Sequence, residues 1–214
     1  MKYIYALGIV FFLSSCSSVK TAVKKKSDIF SPKEKQLILA GKENEPMRIL
    51  QITDSKDSLV LRSKSIAFNV DNNNQLLQLF TKRLYATVHD TAHRGVGIAA
   101  PQVGILKRII WVQRLDKKGT PFEVYYNPYI SKYSEMRQDV LEGCLSIPNT
   151  RGTTDRAYAV FIQYDNPRGK HKCEMIEAYT AAIFQHEIDH LNGILFLDHL
   201  KKELKKSIKH KIEN

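Results

Sequence analysis

Two histidines four residues apart, with a glutamate directly after the first, make up the segment His186-Glu187-Ile188-Asp189-His190. On a helix, positions i and i+4 share a face, so both imidazoles can converge on one metal ion. Glu187 falls where a carboxylate can reach a water on that ion without ligating it. Zinc and comparable ions lower the pKa of such a water enough to supply hydroxide near neutral pH, so the chemistry served is metal-assisted hydrolysis. The plain alternative is a polar helix face that happens to carry two histidines, and an isolated HExxH pattern does not exclude it.

A catalytic metal usually takes three protein ligands and keeps one position open. Glu142-Gly143-Cys144-Leu145-Ser146-Ile147-Pro148 offers Cys144, whose thiolate would suit a soft or borderline cation. Free cysteine is otherwise most often a small buried hydrophobe, and Cys173, in a strand-like run with no ligand nearby in sequence, is read that way. A third segment, Gly95-Val96-Gly97-Ile98-Ala99-Ala100-Pro101-Gln102, joins two glycines to an amide that can donate a hydrogen bond. Glycine permits an approach that a side chain would block. No GxGxxG or Walker pattern follows, which speaks against a phosphate loop.

Taken in order, GVGIAAPQ at 95–102, EGCLS at 142–146 and QHEIDH at 185–190 resemble the three signature motifs of the peptide deformylase family, within a likeness that spans residues 47–214. Three independent matches are far more specific than one. The resemblance implies removal of the formyl group from N-formylmethionyl peptides or nascent chains, with release of formate. It implies Cys144, His186 and His190 as ligands of one divalent ion, typically Fe2+ in the family, although Zn2+ occupies the same ligands. Glu187 would be the general acid/base, and Gln102 with the backbone N–H of Leu145 would form the oxyanion hole. By the same likeness Gly97 and Arg151 would line the peptide cleft, and Val96, Ala182 and Ile183 the pocket for the methionine side chain. Simple packing would account for these five as well. Asp189, beside the ligand face, is expected to hold a partner such as Arg156 behind the metal.

Two rival readings remain. A membrane-anchored HExxH metallopeptidase would take its third ligand, a His or Glu, downstream, whereas the cysteine here lies upstream. A non-catalytic formyl-peptide binder would need neither Glu187 nor Gln102.

To bring the segments together the chain must fold as an α+β domain, with antiparallel strands packed around a central metal-binding helix and a C-terminal helix to follow. Leu76, Phe80, Leu84 and Val88 recur every four residues after a start at 71–74 and predict one helix. Strands are predicted over 108–114, 122–130, 160–165 and 172–179, rich in β-branched and aromatic residues. Asp165-Asn166-Pro167-Arg168-Gly169 supplies a turn between the last two. The ligand helix is predicted over 180–192, with Thr180 as cap and Gly193 just past its end. A final lysine-rich helix would place Leu200, Leu204, Ile208 and Ile212 on one face.

The 214 residues suit one domain with an extension. The 33 Lys and Arg against 22 Asp and Glu give a net charge of +11, which speaks to partners rather than fold; no direct nucleic-acid binding is expected. Three widely spaced cysteines, Cys16, Cys144 and Cys173, make no disulfide framework. Residues 1–16 carry Lys2, an apolar run at 4–13 too short to span a bilayer, and Leu13-Ser14-Ser15-Cys16. That ending resembles the lipobox of bacterial lipoproteins, which implies cleavage before Cys16 and a lipid anchor on it. A mis-assigned start or an idle leader is the alternative. Residues 17–46, rich in lysine and poor in apolar side chains, are read as a basic tether. Ser31 and Pro32 suit the start of a short helix there, and the folded domain is expected from Met47 to residue 214. The signal implies an envelope lipoprotein, whereas deformylases ordinarily act in the cytoplasm.

Overall fold

The structure, a computed structural model, describes residues 28–91 and 95–200. The first helix, α1 (Pro32–Leu39), begins as its sequence suggests. Ser31 accepts a hydrogen bond from the Glu34 N–H, and the Glu34 carboxylate accepts one from the Ser31 N–H, which satisfies two otherwise orphaned donors. Next come α2 (Ser55–Leu61), capped by Asp54, and α3 (Gln75–Val88), capped by Asn74.

The segment read as tether is in part built into the domain. Phe30 and Ile38 are buried with Leu77, Phe80 and Leu84 of α3. Arg83 donates to the carbonyls of Leu37 and Ile38 at 2.9 Å each and to that of Glu45 at 3.1 Å. Glu34 accepts from the Leu106 N–H at 2.9 Å and faces the buried Lys107 at 3.7 Å. The folded body therefore begins well ahead of Met47. Burying Phe30 and Ile38 stabilises by roughly 1.5–3 kcal/mol each, which offsets the ordering of a stretch whose many lysines and few apolar side chains suggest a tether.

In chain order the strands are β1 (Gly97–Ala99), β2 (Ile109–Gln113), β3 (Phe122–Tyr133), β4 (Arg137–Cys144), β5 (Ile147–Ala157), β6 (Ala159–Asp165) and β7 (His171–Glu177), with α4 (Ala178–Leu191) following. An antiparallel five-stranded sheet runs β1-β2-β3-β6-β7, and β4 and β5 form a separate two-stranded ribbon. One face of α4 brings Ile183, Phe184, Ile188 and Leu191 against Val112, Tyr125 and Ile162 of the sheet. The α+β class, with antiparallel strands packed against the histidine helix, is as expected.

Two details differ from expectation. The histidine helix starts at Ala178, with Glu177 rather than Thr180 in the cap position; Thr180 lies buried in the first turn. The β4–β5 ribbon was not foreseen. Its inward face carries Glu142, Thr154 and Arg156 beside Val140, so the apolar alternation that marks a half-buried strand is missing. Past α4, Gly193 has φ 72° and a Cβ there would run into the Arg62 carbonyl oxygen, so only glycine ends the helix in this way. The chain turns helical again at residues 196–200. Leu204, Ile208 and Ile212 lie outside the described residues, as do residues 1–27 with the signal-like segment and Cys16.

Candidate metal centre

On α4, His186 and His190 face the end of β4, where the register slips between Gly143 and Cys144. The Cys144 Sγ stands 3.2 Å from His190 Nε2. One ligand atom from each of Cys144, His186 and His190 falls within 4.8 Å of the others. One thiolate and two imidazoles at this spacing fit a divalent ion bonded at roughly 2.0–2.3 Å.

Behind these three side chains lies a chain of charges. His186 Nδ1 donates to Glu142 Oε2 at 2.6 Å, which fixes the tautomer and leaves Nε2 free to ligate. Arg156 grips the same carboxylate, Nε to Oε1 at 2.7 Å and Nη2 to Oε2 at 3.0 Å, and the Thr154 hydroxyl adds a third bond. Burial works to raise the Glu142 pKa, but His186 and Arg156 outweigh it and hold the carboxyl well below the usual range. Arg156 Nη1 also donates to Asp189 Oδ2 at 2.6 Å, as anticipated, and His199 Nε2 lies 2.8 Å from that oxygen. Sequence reasoning missed Glu142. The signal was there: in a strand Glu142 and Cys144 share a face, so a carboxylate two residues before a ligand points toward the same site.

Glu187 is only 4% exposed, and its Oε2 has no hydrogen-bond partner among the described residues. Burial pushes its carboxyl up to about 7, with the Glu142 charge adding and the His186 charge opposing. That value suits a group that takes and returns a proton near neutrality. Gly97 explains how so buried a carboxylate fits: a Cβ at that position would lie 2.5 Å from Glu187 Oε1. Gly97→Ala is expected to displace the carboxylate and cut kcat/KM by about 10²-fold. Circular dichroism should show the fold intact, and unchanged kinetics would mean that Glu187 accommodates the methyl.

Gln102, 2% exposed, lies in the short 3-10 helix Ala100–Val103. Its Oε1 accepts from the Ala99 N–H at 2.8 Å, which turns Nε2 toward Ser146 Oγ at 3.3 Å and Cys144 Sγ at 3.6 Å. A cleft of about 1500 Å³ opens over this group and is lined by Val96, Gly97, Leu145, Arg151, Ala182 and Ile183, together with Gln51 and Tyr179. All five residues expected to contact substrate are thus brought to one opening. Cys173 is corrected: it is exposed, because on the edge strand β7 only Ile176 is buried.

A cysteine and two histidines beside a buried carboxylate whose Oε2 has no partner among the described residues, on a helix packed against an antiparallel sheet, form the kind of centre that mononuclear metallohydrolases use. The sequence profile of the Polypeptide deformylase family matches residues 46–206. The chain is 42% identical over 119 residues to a peptide deformylase of Desulforudis audaxviator, covering 55% of this chain and 75% of that one. It is 32% identical over 192 residues to a peptide deformylase of Prochlorococcus marinus, covering 88% of each. A Met-Ala-Ser-bound class I type b peptide deformylase from Acinetobacter baumannii matches with a TM-score of 0.62 at 34% identity, over 73% of this chain and 99% of that one. The chain belongs to the polypeptide deformylase family, metal-binding hydrolases that remove the formyl group from peptides. Both the matched family and the cysteine beside the two histidines favour this reading over an HExxH peptidase.

Proposed function

We propose that this chain hydrolyses the formyl amide of N-formylmethionyl peptides, a reading carried by the convergence of Cys144, His186 and His190 beside Glu187, whose Oε2 has no partner among the described residues. The three side chains would hold one divalent ion, Fe2+ by likeness to the family, with Zn2+ able to take the same donors. Such an ion, when bound, polarises a carbonyl and makes water acidic enough to attack it. Glu187 takes the proton from the attacking water at Oε2 and returns it to the departing amine. Gln102 Nε2 and the Leu145 N–H donate to the formyl oxygen as it gains charge. Glu142 keeps the His186 proton on Nδ1. Gly97 and Arg151 flank the peptide, while Val96, Ala182 and Ile183 receive the methionine side chain. The ligand of the Acinetobacter baumannii relative, Met-Ala-Ser, supports a product that begins with methionine. Formate release from formyl-Met-Ala-Ser by the anaerobically purified, iron-loaded protein tests the reading, and a metal-replete protein that releases none overturns it.

For location we propose an envelope lipoprotein held by Cys16. The support is Lys2, the apolar run and Leu13-Ser14-Ser15-Cys16. Each buried methylene of an acyl chain adds roughly 0.8 kcal/mol, so two or more chains anchor stably. A cytoplasmic form starting at Met47 fits the fold poorly, since it would take Glu34 from the buried Lys107 and the Leu37 and Ile38 carbonyls from Arg83. Intact mass of protein from its native host is expected to show an N-terminus at acylated Cys16. Cys16→Ala should leave the membrane fraction or accumulate uncleaved, and an unmodified start near Met47 rules the anchor out.

A further inference from the structure

The two groups proposed above to bind the formyl oxygen sit on different elements: Gln102 in the 3-10 helix, Leu145 in the turn between β4 and β5. Residues 50–52 are hydrogen-bonded to both. The Leu50 N–H donates to the Gln102 carbonyl at 2.8 Å, and the Ile52 N–H to the Ser146 carbonyl at 2.9 Å. Between them, Gln51 Nε2 donates to the Leu145 carbonyl at 3.1 Å. This short segment is itself pinned. The Gln51 N–H donates to Asp57 Oδ2 at 2.9 Å, and Arg48 holds both oxygens of Asp57 at 3.0 and 2.7 Å.

We infer that residues 50–52 form a strap setting the separation of the two oxyanion donors, and that Gln51 is a positioning residue for Leu145. The inference rests on the roles proposed for Gln102 and Leu145. Cys144 pairs with Ile147 across the turn, and the register slips just before it, so the ladder of the ribbon does not by itself fix Leu145. The strap supplies what the ladder lacks. Backbone bonds hold Gln102 and Ser146, the residue after Leu145, and the Gln51 amide holds the Leu145 carbonyl directly. An oxyanion donor contributes through being aimed before charge develops, so a group that fixes the aim acts on turnover rather than on binding. Leucine at position 51 would match the size of glutamine but donate nothing.

The experiment compares the iron-loaded full chain with Gln51→Leu and Gln51→His, the second of which keeps an N–H donor. Gln51→Leu is expected to lower kcat on formyl-Met-Ala-Ser roughly 10- to 100-fold. KM should stay within about twofold, with metal content and thermal midpoint as in the parent; Gln51→His should recover most of the loss. In the zinc-loaded protein, the Leu145 amide should shift in its NMR spectrum and exchange faster in Gln51→Leu, a readout independent of turnover. Unchanged kcat with an unchanged Leu145 amide overturns the inference. So does a rise in KM alone, which would make Gln51 a substrate contact in the cleft it lines. If the parent protein releases no formate, the proposed function fails instead, and the Leu145 amide alone decides whether the strap exists.

Discussion

Glu187→Gln is expected to retain its metal and to lose formate release by roughly 10²–10⁴-fold. The amide keeps the shape of the carboxylate, so the space bounded by Gly97 stays filled and the fold is undisturbed. What disappears is the ability of Oε2 to accept a proton. That oxygen has no partner among the described residues, so no neighbouring side chain bonded to it is placed to take over the transfer. The measurement is kcat on a formylated peptide alongside metal content per chain. A variant with near-parental turnover and full metal would remove Glu187 from the proton path.

The second large effect is expected at the ligands. Cys144→Ser replaces a thiolate by a neutral hydroxyl, a poor partner for a borderline cation. The variant should lose most of its metal on dialysis, and the thiolate-to-cobalt absorption of a cobalt-loaded form should vanish. Cys173→Ser is the control: exposed on β7 and remote in sequence from the ligands, it should leave metal content alone. Retention of full occupancy and an unaltered cobalt spectrum in Cys144→Ser would take the thiol out of the coordination sphere.

The site was more legible in the sequence than the scaffold that carries it. HEIDH declares its geometry because helical spacing puts both histidines on one face; α3 follows from apolar periodicity, and four strands of the large sheet from runs of β-branched and aromatic residues. The β4–β5 ribbon escaped because its buried face is made of Glu142, Thr154 and Arg156, a pattern that reads as solvent-facing until a partner for each charge is known. The docking of α1 escaped for a related reason. Its hold comes from Arg83 and the Leu106 N–H, far along the chain, and no local property of a lysine-rich stretch reveals them. Glu142 was hidden with the ribbon, since its claim on His186 depends on a strand that periodicity did not show.

The docking of α1 has a geometric corollary if Cys16 is held at a bilayer. The span available to separate the domain from the lipid is then counted from Cys16 to Asp28 rather than to Met47. At roughly 3.3–3.6 Å per residue fully extended, the first limit is about 40 Å and the second would be about 105 Å. The shorter limit is comparable with the roughly 40 Å diameter expected of a compact domain of this length. The cleft would then sample only a thin layer above the membrane, and peptides would be selected by whether their formylated ends come within that layer as much as by their sequence.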